Sequence, residues 1–306
     1  MLAYTLRRLV LAVPTVWGVV TLTFIVMRVM PGDVSVLAAG IDATPEQRAF
    51  IKKQLNLDDP LPVQYLRYLE HVASGDLGDS LFGTASVREL IGERLPKTMV
   101  LAGIAVLVSV LVAVPLGVLA ATTKGGPTDV ACQVFSALSM AAPGFWIALL
   151  LVYVFAETLQ WLPALGDLTP KGLVMPVATL ALPASAILTR MTRATLLDVL
   201  HEDFIRTARA KGLPSRSVVV GHALRNALIP VITVVGLQAG FLLGGTIIIE
   251  TIFSFPGIGL LVTQAITRRD FPVIQGVVVV IATLFVLINI AIDLSYAFLD
   301  PRIKYA

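Results

Sequence analysis

The chain has 306 residues, of which 57% are hydrophobic and only 14% are charged, and its mean hydropathy is +0.87. Soluble domains carry roughly 25% charged residues, so this composition excludes an ordinary soluble domain and predicts a polytopic membrane protein. The net charge of +3 does not indicate a nucleic-acid partner, because the cations flank apolar runs and have a topological explanation.

Runs of about twenty apolar residues, the length that crosses ~30 Å of hydrocarbon, predict six membrane-spanning helices. In chain order they are Leu9–Met30, Thr98–Ala121, Ala131–Leu159, Gly172–Thr189, Asn226–Glu250 and Val273–Leu299. The first run is too long for a secretory signal and lacks a small-residue cleavage pattern, so we expect it to be retained. The fourth contains Pro176 and Pro183, which neighbouring helices can accommodate.

The placement of lysine and arginine predicts that both termini lie in the cytoplasm. The segments assigned to the inside hold Arg7, Arg8, Lys124, Arg190, Arg193, Arg206, Arg209, Lys211, Arg216, Arg225, Arg302 and Lys304. The two short outer loops hold only Lys171, Arg268 and Arg269. We therefore expect one transmembrane domain over residues 1–306, with an external excursion over 31–97 and a cytoplasmic loop over 190–225.

The external excursion is predicted to be partly helical. In "TPEQRAFIKKQLNL", Thr44 suits the N-cap, Pro45 the first helical position and Gln47 the reciprocal capping position. "PLPVQYLRYLEHVAS" follows, with apolar residues near helical spacing. Two interpretations are open: a cap that packs on the membrane helices, or a docking surface for an external partner.

The sequence lacks the motifs that would let this chain supply its own energy or chemistry. It has no phosphate-binding P-loop and no paired nucleophile and base. Its histidines, His71, His201 and His222, are isolated, so we expect no metal or cofactor site. Cys132 is the single cysteine, which excludes an intrachain disulfide.

Ionisable residues within the predicted spans are few. Four of them lie at or near predicted span ends, where snorkelling or a location at the interface suffices: Glu157, Glu250, Arg190 and Arg193. Asp293 is the exception. An ion pair with Arg302, or with an arginine of the cytoplasmic loop 190–225, is favoured for Asp293 over a transport role. Coupling to an ion gradient is disfavoured, because the second, fourth and fifth spans have no carboxylate near the membrane midplane.

The segment "DFIRTARAKGLPSR", residues 203–216, is a basic stretch between the fourth and fifth spans. Asp203 complements the dipole at the start of a short helix, Gly212 suits a left-handed C-cap, and Pro214 prevents continuation. Such a helix is too short to cross a membrane. It is either a positive-inside loop that happens to be helical or a docking helix that inserts into a groove on a cytoplasmic partner.

With the residues that follow, this segment reads "FIRTARAKGLPSRSVVVGHALRNALIPVIT" and resembles the EAA loop of permease subunits of ATP-binding-cassette (ABC) importers, in the dipeptide/oligopeptide/nickel branch. Aligned on Gly212, the E-A-A positions fall on Arg206, Thr207 and Ala208, so the glutamate and the first alanine are not kept. The likeness extends, in order, to "MLAYTLRRLVLAVPT", "MPGD", "LNLDDPLPVQY", "GDLGDS", "GFLLGGTIIIETIFSFPGIGLLVTQAITRRDFPVIQG" and "LDPRIKY", and it is greatest to glutathione-type and dipeptide-type permeases.

The resemblance implies an all-α type I importer (MetI-like) permease fold with six transmembrane helices, in the inner membrane of a prokaryote. It implies as partners a homologous second permease subunit in a heterodimer, two cytoplasmic ATPase subunits, an external solute-binding protein and membrane lipid. ATP and Mg²⁺ would be bound by the ATPase subunits, and this chain would form half of a pathway for peptides or a similar small solute. The alternatives are an ion-gradient-driven secondary transporter acting alone and a membrane enzyme.

The resemblance also implies two sets of site residues and no catalytic ones. A coupling helix at about residues 203–212 would contact the ATPase subunits through Arg206, Thr207, Ala208, Arg209, Lys211 and Gly212. The turn "FSFPGIG" is either an ordinary external hairpin turn or an external gate or receptor contact formed by Phe253, Phe255, Pro256, Gly257 and Gly259.

Overall fold

The structure is a computed structural model that describes residues 2–29, 35–36, 43–54 and 57–299, with side chains described for 8–29, 35–36, 43–54, 57–242, 244–292 and 294. "MPGD", the side chain of Asp293 and "DPRIKY" lie outside the described residues. Within these ranges the regular structure is helical, with one isolated β-bridge between Asp79 and Ser86. The predicted all-α fold class is confirmed.

The main helices, numbered in chain order, are α1 Leu2–Val29, α2 Pro45–Gln54, α3 Leu61–Ser74, α4 Val87–Thr122, α5 Pro127–Ala141, α6 Gly144–Leu151, α7 Pro170–Val199, α8 Asp203–Ala210, α9 Leu224–Ile252, α10 Ile258–Arg268 and α11 Phe271–Leu299. A π-helical segment, Val152–Thr158, continues α6, and another, Ser217–Ala223, leads into α9.

Five of the described helical segments are long and apolar enough to cross a membrane: α1, α4, α7, α9 with its π-helical start, and α11. The third predicted span, Ala131–Leu159, is instead divided into α5 and α6, which meet at a bend of 100°. Pro143 explains the break, because a proline forces the residue before it out of helical geometry, and Ala142 has φ −80° and ψ 126°. Counted as one broken span, this pair makes the six that the sequence predicts.

Two helices are longer than their predicted spans. Helix α4 begins at Val87 rather than at Thr98, and α7 ends at Val199 rather than at Thr189. Hydropathy predicts the part of a helix that lies in hydrocarbon, whereas the helix itself continues through charged residues outside it. The first part of the predicted loop 190–225 is therefore helical.

The chain forms two compact units, one made of residues up to Thr98 with Pro256–Ile290, the other of Met99–Phe255 with the segment from Ala291. The predicted domain limits stay predictions. In the first unit, α3 packs on α1: the hydroxyls of Thr21 and Tyr65 are 2.6 Å apart, and Arg28 donates from Nε to Gln64 at 2.8 Å.

The capping box predicted at the start of α2 is confirmed. The backbone N–H of Thr44 donates to Oε1 of Gln47 at 2.9 Å, and the N–H of Gln47 donates to the hydroxyl of Thr44 at 3.3 Å. In the described part of the external excursion, α2 and α3 precede the start of α4, and α3 packs on the membrane helix α1 as a cap would. Docking of an external partner there stays a prediction.

In the second unit, α7 is the central helix and contacts α5, α6 and α9. It remains continuous through Pro176, which is buried, and Pro183, which is half-buried. Helix α4 approaches it closely at Gly117, where a Cβ would come within 2.5 Å of the Cβ of Thr192. Only glycine fits at that crossing.

Candidate functional site

Helix α8, the predicted docking helix, is a short segment with a defined start and end. Its N-cap, Glu202, is extended, and Asp203 occupies the first turn. After the helix, Gly212 has φ +77° and donates its N–H to the carbonyl of Arg209 at 2.9 Å. This is the left-handed glycine end that the sequence predicts, and it is confirmed.

Helix α8 has one buried and one exposed face. Ile205 is fully buried and Ala208 is 8% exposed, and both pack in a cluster of small and aliphatic side chains. The other buried members of this cluster are Ala121, Leu196, Val218, Ala223 and Ala227. They belong to the ends of α4 and α7, the π-helical segment and the start of α9, so α8 is held by four neighbouring segments of its unit.

The exposed face carries most of the predicted coupling residues. Arg206, Thr207, Arg209, Lys211 and Gly212 are exposed, and Arg206 donates to the carboxylate of Asp203 at 3.0 Å. Ala208, by contrast, belongs to the chain's own core and presents little surface to a partner. The structure thus places five of the six predicted residues on one accessible face.

Two apolar side chains beside this face were missing from the predicted set. Phe204 is 44% exposed and Leu213 is 39% exposed, although both lie in a segment outside the candidate membrane spans. Phe204 directly precedes the buried Ile205, and the helix turns the Phe204 ring partly outward. Exposed aromatic residues among cations are typical of protein contacts.

A buried ion pair joins α5 to α7 in the same unit. Arg193 donates from Nε and Nη2 to the two carboxylate oxygens of Asp129, at 2.6 and 2.7 Å. Asp129 is 1% exposed and also accepts from the N–H of Gly125 at 2.9 Å and from the amide of Gln133 at 3.0 Å. A two-point arginine–carboxylate contact fixes both distance and orientation of the two helices.

This pair gives Arg193 a partner within the chain, which its interpretation as a snorkelling or interfacial residue near a span end did not include. Its partner Asp129 was not singled out from the sequence, because the two residues are far apart in the chain and neither belongs to a recognisable motif. One signal in the sequence could have predicted the pair: an acid lies at the start of one apolar run, and an arginine lies near the end of another.

Beside this ion pair, α5 and α7 border a groove of roughly 900 Å³. Its walls are mainly aliphatic and include one residue of α9, Val234. The polar side chains that line it are Gln133, Arg190 and Arg193. The groove therefore combines an apolar surface with cationic groups within a unit that contains membrane spans.

The turn predicted as a gate or receptor contact is mostly internal. Phe253 and Phe255 are fully buried in the core of the second unit, and Gly166 donates its N–H to the carbonyl of Phe253 at 2.7 Å. Gly257 and Gly259 are buried, and Pro256 is half-buried. The arrangement is that of a packed turn, and its role as a gate or contact stays a prediction.

The loop before α7, which packs on this turn through Gly166, also supplies the N-cap of the helix. Thr169 accepts from the N–H of Gly172 at 3.1 Å and donates its hydroxyl to Asp167. This side-chain hydrogen bond, with a second from the Thr169 backbone, holds the pKa of Asp167 below its usual value.

Comparison with known proteins identifies the family. A profile described as "Binding-protein-dependent transport system inner membrane component" matches residues 113–305, and one for the N-terminal part of the same membrane component matches residues 1–102. The chain therefore belongs to this family of multi-pass inner-membrane proteins, the permease subunits of ABC transporters.

Curated relatives match over the whole chain. A probable peptide ABC transporter permease protein of Sinorhizobium fredii is 41% identical, covering 99% of each chain. The dipeptide transport system permease protein DppB of Alkalihalophilus pseudofirmus is 40% identical, and the glutathione transport system permease protein GsiC of Salmonella paratyphi A is 39% identical, each covering 100% of both chains.

Solved structures share the fold at low identity. A chain of the MetNI methionine ABC transporter in an inward-facing conformation gives a TM-score of 0.57 at 17% identity, covering 69% of this chain and 96% of that one. A chain of an amino acid ABC transporter gives a TM-score of 0.56 at the same 17% identity. The predicted MetI-like permease fold and the predicted membership in the ABC permeases are confirmed.

Proposed function

We propose that this chain is one of two homologous permease subunits of a peptide importer, and that two ATPase subunits drive it from the cytoplasm. ATP and Mg²⁺ are bound by those subunits. An external binding protein delivers cargo to the side of the excursion 31–97, and both termini of this chain lie in the cytoplasm. The translocation pathway runs between the two permeases.

The observation that carries the proposal is the division of α8 into two faces. Ile205 anchors the helix in a cluster shared with α4, α7 and α9, while Arg206, Thr207 and Arg209 face outward. A partner that moves the exposed face would therefore move the ends of three membrane helices. That mechanical link is what an ATP-driven transporter needs between hydrolysis and the pathway.

Peptides are proposed as the cargo because the relatives that match the whole chain are named for peptides, dipeptides and glutathione. The test is uptake into vesicles that contain this chain, its second permease and the ATPases, with the binding protein outside. ATP-dependent accumulation of a short peptide is expected. Accumulation by this chain alone, driven by an ion gradient, would contradict the proposal.

The docking of ATPase subunits on α8 is tested by two adjacent residues. Phe204→Ala removes an exposed ring, so we expect little change in the stability of the permease but a loss of co-purifying ATPase subunits. Ile205→Ala removes a buried side chain and is expected to destabilise the permease by roughly 2–5 kcal/mol. Full retention of the ATPases and of uptake in Phe204→Ala and in Arg209→Glu would exclude this face as the docking site.

A further inference from the structure

Three buried hydroxyls in the second unit lie on helices that pack against one another. Thr189 and Thr192 belong to α7 and Ser136 to α5, and each residue is at most 2% exposed. Ser136 lies about two turns after Asp129, on the face of α5 that is held against α7. Within the part of the chain that the structure describes, none of the three hydroxyls has a hydrogen-bond partner. Buried polar groups in folded proteins are nearly always paired, so these three need a physical explanation.

Other threonines of α7 show that the helix itself does not prevent such pairing. The hydroxyls of Thr179 and Thr195 donate to the carbonyl four residues earlier, at 2.8 and 3.0 Å. A helical threonine makes this bond through its choice of χ1 rotamer. The lack of the bond at Thr189 and Thr192 therefore depends on what packs around these two side chains.

The close neighbour of these two residues is α4, at its crossing with α7. A Cβ added to Gly117 would lie 2.5 Å from the Cβ and 2.8 Å from the Cγ2 of Thr192, and 3.0 Å from the carbonyl oxygen of Thr189. The methyl group of Thr192 thus packs directly on α4, and this contact fixes the rotamer. The hydroxyl is fixed with it, away from the carbonyl that it would otherwise reach. The crossing therefore holds the Thr192 donor unpaired in this conformation.

The same crossing allows α7 to move along α4. The face of α4 around Gly117 carries small buried side chains, those of Ala113, Ala120 and Ala121. Small residues let two helices approach closely, and packed helices can then slide without large side chains having to pass each other. Helix α7 ends at Val199 and α8 begins at Asp203, so a force on α8 acts on α7 through a short connection.

We propose that α7 shifts along α4 and α5 during transport, and that the hydroxyls of Ser136, Thr189 and Thr192 gain hydrogen-bond partners in the second conformation. This inference rests on the proposed ATP-driven function. The unpaired donors raise the free energy of the present conformation, and their pairing lowers that of the other. The helices are thereby kept close to balance between two arrangements, and a modest force on α8 is enough to shift them.

The experiment compares Thr192→Val and Thr192→Ser with the wild type, in vesicles with the complete transporter and its binding protein. Valine keeps the shape of threonine and removes the hydroxyl. We expect Thr192→Val to raise the thermal midpoint of the detergent-solubilised permease by about 2–4 °C, because an unpaired buried donor is removed. It should lower kcat of ATP-driven uptake by about fivefold and leave KM unchanged, because the second conformation loses a hydrogen bond. Thr192→Ser keeps the hydroxyl and should retain kcat, although loss of the methyl group lowers the midpoint.

Thr179→Val is the matched control, since Thr179 is a buried threonine of the same helix whose hydroxyl is already paired. Its thermal midpoint should fall and its kcat should stay close to that of the wild type. A fall in the midpoint of Thr192→Val would overturn the inference, because the hydroxyl would then have a partner, such as a buried water, in the present conformation. A rise in the midpoint with kcat unchanged would also overturn it, because the hydroxyl would be unpaired throughout transport. A wild-type transporter without ATP-driven uptake would instead overturn the proposed function, and this inference with it.

Discussion

At Gly212 the backbone adopts φ +77° directly after α8, and a Cβ added there would meet no atom within 4 Å. Any effect of a substitution therefore comes from backbone strain and not from a clash. The left-handed region costs a non-glycine residue about 1–2 kcal/mol, and the cost is greater for a β-branched one. That strain would fall on the end of the helix proposed to contact the ATPase subunits.

We predict that Gly212→Val lowers ATP-dependent uptake and weakens co-purification of the ATPase subunits, while the permease still inserts in the membrane. Gly75→Val is the control, because Gly75 has the same φ of +77°, the same open surroundings and a place at the end of α3 instead. Gly75→Val should carry the same cost in backbone strain without lowering ATP-dependent uptake or ATPase co-purification. Equal transport losses in the two variants would mean that general strain, and not the end of α8, is responsible.

At the scale of elements, the contact between Asp129 and Arg193 holds α5 against α7. Removal of one partner leaves a charge without its counter-ion in an apolar environment, whereas removal of both leaves none. We predict that Asp129→Leu or Arg193→Met alone lowers the thermal midpoint of the detergent-solubilised permease markedly, and that the double variant recovers most of the loss. Thermal unfolding of the four proteins measures this coupling, and additive losses would show that the pair does not act as a unit.

Element boundaries also show where hydropathy stops being informative. The start of α4 at Val87 and the end of α7 at Val199 lie outside their apolar runs, because charged residues are compatible with helix in water. The break at Pro143 lies inside the predicted span Ala131–Leu159, where hydropathy gives no sign of it. Hydropathy reports where a segment can lie, and the backbone chemistry of individual residues reports whether the helix continues.

At the scale of the whole molecule, the proposed topology places the loop around Lys124 inside and the start of α7 outside. Both Lys124 and Lys171 are exposed, and the single native cysteine, Cys132, is 6% exposed, so introduced cysteines can be labelled against a low background. A membrane-impermeant maleimide applied to spheroplasts should label Lys171→Cys and should leave Lys124→Cys unlabelled until the membrane is opened. Labelling of Lys124→Cys but not of Lys171→Cys in intact spheroplasts would show that the orientation is the reverse of the one proposed.

The sequence by itself determined the helical class, the apolar spans, the capped helix α8 with its glycine end, and the family. Each of these depends on neighbouring residues: the length of an apolar run, the spacing of cap residues, or the order of local motifs. Features of this kind can be predicted from the sequence because they depend on residues close together in the chain and not on what packs against them.

The tertiary structure alone decided which side chains face one another. It paired Asp129 with Arg193, left Arg190 exposed beside the groove, turned Phe204 outward and Ala208 inward, and buried Phe253. Contacts between residues far apart in sequence depend on how helices rotate and approach one another. One turn of α7 separates Arg193, which is paired with Asp129, from Arg190, which is exposed, and hydropathy alone does not record that rotation.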